Sequence, residues 1–96
     1  MKIAIDKNQI RQFCKQNNLS YFGIFGSYAR GEETNSSDID VLIDYDKPKS
    51  LLDLGGIVSD LEMMLGKEID LVNRKKIKPI LKPYIDKDIL TIYEQN

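Results

Sequence analysis

The sequence predicts one small α/β (α+β) domain over residues 1–96, built as a small mixed sheet flanked by helices. Three observations lead there. Segments with apolar residues at three- and four-residue spacing alternate with short segments of strand character. The 96 residues suffice for one domain and not for two. No internal repeat, low-complexity tract or linker interrupts the chain.

Asp6 or Lys7 to about Asn18 reads as the first helix, with Ile10, Phe13 and Cys14 on one face and Asn17-Asn18 at its end. Tyr21 to Phe25 reads as a buried strand, and Ser27 to Gly31 as one or two helical turns. Glu32 to Ser37 has nothing apolar to bury and reads as a loop. Ile39, Val41 and Ile43 alternate with Asp38, Asp40, Leu42 and Asp44, the periodicity of a strand. Asp44 shares strand parity with Asp40 and reads as a solvated residue at the strand end.

Ser50 can cap the next helix, in which Leu51, Leu54, Val58, Leu61 and Leu65 recur at helical spacing until Gly66 stops it. Gly55-Gly56 inside that helix suggests either close packing on the sheet or a kink. Glu68 to Val72 reads as a strand, Ile77 to about Asp86 as a helix disturbed by Pro79 and Pro83, and Ile89 to Tyr93 as a closing strand.

Composition narrows the chemistry. There is no histidine, which excludes a Ser-His-Asp triad, a Cys-His pair and a zinc site built on imidazole. The one cysteine, Cys14, excludes an intrachain disulfide and reads as a small buried apolar residue. A net charge of -1 gives no basic field and argues against a nucleic-acid partner. No apolar run approaches a membrane span, and Met1 to Asp6 is too short in apolar residues for a secretion signal, so the expected location is cytoplasmic. Lys47-Pro48-Lys49 and Arg74-Lys75-Lys76-Ile77-Lys78 are basic clusters, the second expected to be a solvated helix start. Tyr45, Tyr84 and Tyr93 read as exposed.

Three acidic positions remain. Asp38 and Asp40 flank Ile39, and residues two apart on a strand project from the same face. Adjacent carboxylates repel unless a cation neutralises them. Magnesium, which takes hard oxygen ligands from one or two carboxylates plus substrate phosphates, is such a cation. Taken alone, the pair is equally well a solvated strand face. Asp70 sits amid Ile69 and Leu71, and it completes a three-carboxylate cluster if its strand lies beside that of Asp40; otherwise it reads as the solvated face of an edge strand. Gly26-Ser27 follows a buried strand and opens a helical turn, whose unsatisfied N–H groups and glycine permit close approach of a phosphate, although taken alone it reads better as a plain strand-to-helix turn capped by the serine. It is neither a Walker A loop nor a dinucleotide fingerprint.

Together, Gly26-Ser27-Tyr28-Ala29-Arg30-Gly31 and Ser37-Asp38-Ile39-Asp40-Val41-Leu42-Ile43 resemble the signature of the nucleotidyltransferase superfamily that includes DNA polymerase beta. The form G-S-x-A-R-G…S-D-x-D is similar to that of its minimal single-domain branch, the MNT or MntA-like proteins. The resemblance implies a nucleotidyltransferase fold and magnesium-dependent transfer of AMP from ATP. It implies two Mg2+ ions held by Asp38, Asp40 and Asp70, which would also be the catalytic residues. Gly26 and Ser27 would hold the β- and γ-phosphates, and Arg30 and Ser37 would complete the nucleotide-binding set. Arg30 would either reach a phosphate or pair with Glu32 or Glu33. With no further domain to wall the cleft, the acceptor must be small or the wall must come from another subunit. MNT proteins are commonly paired with HEPN toxins, so the resemblance implies a HEPN partner modified on a tyrosine, and a self-pair or a mixed oligomer. Transfer to a small molecule or an RNA end, and a non-enzymatic antitoxin that neutralises by binding, are the alternatives.

Overall fold

The computed structural model describes residues 5–95, so the N-terminal stretch read above for a secretion signal lies almost wholly outside the described residues. Helix α1 (Lys7–Gln16) is capped by Asp6, whose carboxylate accepts the Asn8 and Gln9 N–H groups, and it buries Ile10, Phe13 and Cys14. Strand β1 (Tyr21–Phe25) leads through Gly26 into the four-residue helix α2 (Ser27–Arg30). Strand β2 (Ile39–Asp44) is followed by helix α3 (Leu51–Leu65), which opens on a capping box between Ser50 and Asp53 and ends at Gly66 in the left-handed conformation. Strand β3 (Ile69–Asn73), a 3-10 turn (Arg74–Lys76), helix α4 (Lys82–Asp88) and strand β4 (Leu90–Glu94) complete the chain.

The strands form one mixed sheet in the order β3-β2-β1-β4, with β2 and β3 parallel and the other neighbours antiparallel. Strand alternation sorts the side chains. Phe22 and Ile24 of β1 and Ile39, Val41 and Ile43 of β2 join Ile10, Phe13 and Cys14 of α1 and Ile57 and Leu61 of α3 in the main core. Tyr21 and Leu42 on the opposite face pack with Ile85 of α4 in a smaller one. Cys14 is fully buried, and burial pushes its thiol up to about 12, so it is no nucleophile.

The last helix departs from expectation. It begins at Lys82 rather than Ile77, because Pro83 lacks an N–H and fits only where no intrahelical bond is needed, in the first turn. The stripe of α3 runs through Leu54, Ile57 and Leu61, leaving Leu51 88% exposed at the overhanging first turn. Tyr45 is buried and Tyr93 half-buried, leaving Tyr84 as the exposed member of the three.

Gly55 and Gly56 lie on the exposed side of α3, where an added Cβ meets nothing within 4 Å. Close packing on the sheet is therefore not their role. Replacing each by alanine is expected to stabilise the fold by about 1 kcal/mol through helix propensity. Urea denaturation of Gly55→Ala and Gly56→Ala checks this.

Candidate active site

Register places the acidic residues. Phe25 of β1 pairs with Asp40 of β2, and Asp40 pairs with Asp70 of β3, so the three form one row across the sheet. Neighbouring strands lie about 4.8 Å apart, and facing residues of a parallel or antiparallel pair share a side of the sheet. Asp40 and Asp70 thus stand beside each other on the α4 face. Asp38, exposed, lies just ahead of β2. Half-burial, then the charges of Asp70 and Asp38, pushes the Asp40 carboxyl above its ordinary range, partly offset by Arg30.

The glycine turn abuts this row. Gly26 has φ 75 and ψ -151, a conformation essentially confined to glycine. A Cβ placed there would stand 2.0 Å from Asp40 Oδ2, so the carboxylate occupies the space a side chain would need. Ser27 begins α2 beside it, where the first N–H groups have no intrahelical acceptor. The Ser37 hydroxyl accepts the Thr34 N–H at 2.8 Å and closes the loop that delivers Asp38.

Arg30 binds Glu32 at 2.8 Å, one of the two acidic partners expected, and Asp88 of α4 at 2.5 Å. The Asp88 contact spans 58 residues and has no signal in the sequence. It ties α2 to α4. Together with the segment after β3, α4 walls a cleft of about 470 Å³ lined by Gly26 and Asp70 on one side and Lys76, Lys78, Leu81 and Tyr84 on the other. The chain therefore supplies a second wall, contrary to the expectation that none remained.

The donor set suits a hard cation. Among the described residues no three His, Cys, Asp or Glu side chains form a ready-made metal cage. Asp40 and Asp70 instead present two crowded carboxylates, the donor number magnesium takes when phosphates complete its shell.

The other end of β2 shows the opposite electrostatics. Asp44 is only 8% exposed, not solvated as its position suggested. Arg74 approaches it at 3.0 Å and Lys75 at 3.3 Å, and the Tyr45 N–H donates to it at 2.8 Å. Burial alone would raise the carboxyl, but these partners outweigh it and hold it below the ordinary range. Arg74 also lies over the Tyr21 ring, 4.2 Å from its centroid. Arg74 and Lys75 are thus structural rather than a free basic cluster. Asp44→Ala is expected to destabilise the fold by about 2 kcal/mol, less than for fully buried pairs because both cations are partly exposed. Because the folded carboxyl is depressed, its contribution is present above the ordinary carboxylate range and lost as pH falls through the depressed value. Denaturation at neutral and acid pH should show wild type and Asp44→Ala converging in acid.

Residues 7–95 match the nucleotidyltransferase domain family. The chain belongs to that family. It is a nucleotidyltransferase, and its mixed sheet with flanking helices is the family's fold. The chain is 41% identical over 85 residues to a Methanocaldococcus jannaschii protein provisionally named a protein adenylyltransferase, covering 88% of this chain and 91% of that one. Its fold is similar to that of a chain in a toxin–antitoxin crystal structure with AMP-PNP, with a TM-score of 0.80 and 20% identity over 96% of this chain and 76% of that one. It also resembles a chain of a complex between a tri-AMPylated HEPN toxin and an MNT antitoxin from Shewanella oneidensis, with a TM-score of 0.70 and 19% identity over 93% of this chain and 70% of that one.

Proposed function

We propose that this nucleotidyltransferase is a magnesium-dependent protein adenylyltransferase that moves AMP from ATP to a tyrosine hydroxyl of a HEPN-family toxin, and so serves in the cytoplasm as that toxin's antitoxin. The observation that carries the reading is the Asp40–Asp70 pair seated against the Gly26 turn. The adenylyltransferase relative and the fold shared with a chain of the HEPN–MNT complex support the choice of acceptor.

In this reading Asp38, Asp40 and Asp70 hold the magnesium, which supplies charge neutralisation for the phosphate oxygens when bound. Gly26 and Ser27 take the β- and γ-phosphates at the start of α2, beside the Asp40 carboxylate that fills the space a side chain at position 26 would need. Asp70 accepts the proton of the acceptor hydroxyl as that oxygen bonds to the α-phosphorus. The bond from the α-phosphorus to the bridging oxygen breaks, and pyrophosphate leaves. Arg30 acts through its pairing with Glu32 and Asp88, keeping the glycine turn and the cleft wall together. Ser37 steadies the loop ahead of Asp38.

Incubating the chain with labelled ATP, magnesium and a HEPN protein encoded beside it tests the reading. Label is expected on a partner tyrosine and is expected to vanish in Asp38→Asn/Asp40→Asn. Equal labelling by that variant would refute the site assignment. Neutralisation of the toxin by that same variant would assign the antitoxin role to binding alone.

A further inference from the structure

The segment that leads from the 3-10 turn into the first turn of α4 carries apolar surface that the fold does not use. Ile80 is 76% exposed, Tyr84 71% and Leu81 49%. Isolated exposed apolar residues are ordinary, whereas several on one short segment mark an interaction surface. Leu81 and Tyr84 line the cleft that reaches Gly26 and Asp70, while Ile80 lies outside its lining. The apolar surface therefore continues past the cleft mouth, farther than a ligand seated in the cleft would cover. Pro79 and Pro83 fix their own φ angles, so the segment has less freedom to lose when a partner docks.

Charge points the same way. Lys82 is engaged by Asp86, as Arg74 and Lys75 are by Asp44. Lys76 and Lys78 line the cleft, and neither ammonium has an ion pair or hydrogen bond among the described residues. Two unneutralised cations beside an apolar rim suit carboxylates carried on an apolar chain.

We propose that this rim is the docking surface for the protein acceptor: a segment whose apolar side chains cover Ile80, Leu81 and Tyr84, whose carboxylates meet Lys76 and Lys78, and whose hydroxyl is presented along the cleft toward Asp70. The proposal rests on the reading of the site as a protein adenylyltransferase.

Amide chemical shifts of the full chain, titrated with two tyrosine peptides, test it. One peptide flanks the tyrosine with leucine and aspartate, the other with leucine and lysine, each with and without ATP and magnesium. The acidic peptide is expected to shift the amides around Ile80, Leu81 and Tyr84 and to bind about tenfold more tightly than the basic one. Lys76→Glu/Lys78→Glu is expected to reverse that preference. No shift at these amides, an unchanged preference in the variant, or exclusion of the peptide by ATP occupying the same amides would overturn the proposal. Label transfer is measured in parallel. Docking here without transfer counts against the adenylyltransferase reading and leaves the surface standing. Transfer with docking elsewhere does the reverse.

Discussion

Asp40→Asn is expected to lose about three orders of magnitude in kcat/KM for AMP transfer and, in the absence of metal, to be more stable than wild type at neutral pH. The rate loss follows from the proposed role of Asp40, since metal stabilisation of transition-state charge is worth several kcal/mol, about a factor of ten for each 1.4 kcal/mol. The stability gain follows from its surroundings. Burial and the neighbouring charges of Asp70 and Asp38 raise the folded carboxyl above its ordinary range. A carboxyl so raised contributes stability below its unfolded value, and that contribution is lost as pH rises through the folded value. At neutral pH the ionised group therefore opposes folding, and asparagine relieves the opposition. The gain should shrink toward zero in acid, where both states of Asp40 are protonated.

Denaturation with a chelator present, at neutral and acid pH, measures this. Free ligand at a hundredfold excess over its Kd stabilises a folded protein by about 2.7 kcal/mol. ATP with magnesium should therefore raise the stability of wild type and leave Asp40→Asn nearly unmoved. A variant less stable than wild type in chelator would mean that Asp40 holds the fold together rather than being held against its preference.

The same strand shows why some of this arrangement was legible in the sequence and some was not. Period-two alternation correctly put Asp40, Leu42 and Asp44 on one face, because side-chain direction is a local property of an extended backbone. It could not say what faces them. Asp40 meets Asp70 through the β2–β3 register, and Asp44 meets Arg74 and Lys75 from just beyond β3. Two carboxylates of equal parity thus have opposite electrostatic fates. Helix bounds followed the same division. Ser50 and Gly66 delimit α3 by local chemistry and were readable, as was β1. The start of α4 required knowing that the chain turns at 79–81 before Pro83. The Arg30–Asp88 tie joins residues whose local sequences give no sign of each other, so the cleft wall it braces was also missed.

Gly26→Ala is expected to be the most damaging single-methyl change in the chain, destabilising the fold by at least about 2 kcal/mol and abolishing transfer. Two causes add. The backbone conformation at φ 75 and ψ -151 is strained for any residue with a Cβ, a penalty of about 1–3 kcal/mol. The methyl would also stand 2.0 Å from Asp40 Oδ2, too close for any contact, so the carboxylate must move. Nor can the turn relax by itself. Gly26 O accepts the Arg30 N–H at 3.1 Å, and Arg30 is held by Glu32 and Asp88. The comparison with Gly55→Ala separates local strain from the general effect of replacing a glycine, since at Gly55 the added Cβ meets nothing. Combining Gly26→Ala with Asp40→Gly separates the two causes. Removing the obstructing carboxylate should recover the part of the stability lost to the clash and none of the part lost to backbone strain. Transfer should stay absent in the double variant. If Gly26→Ala keeps both wild-type stability and wild-type transfer, the packing of Asp40 against the turn is not the feature that sets the carboxylate in place.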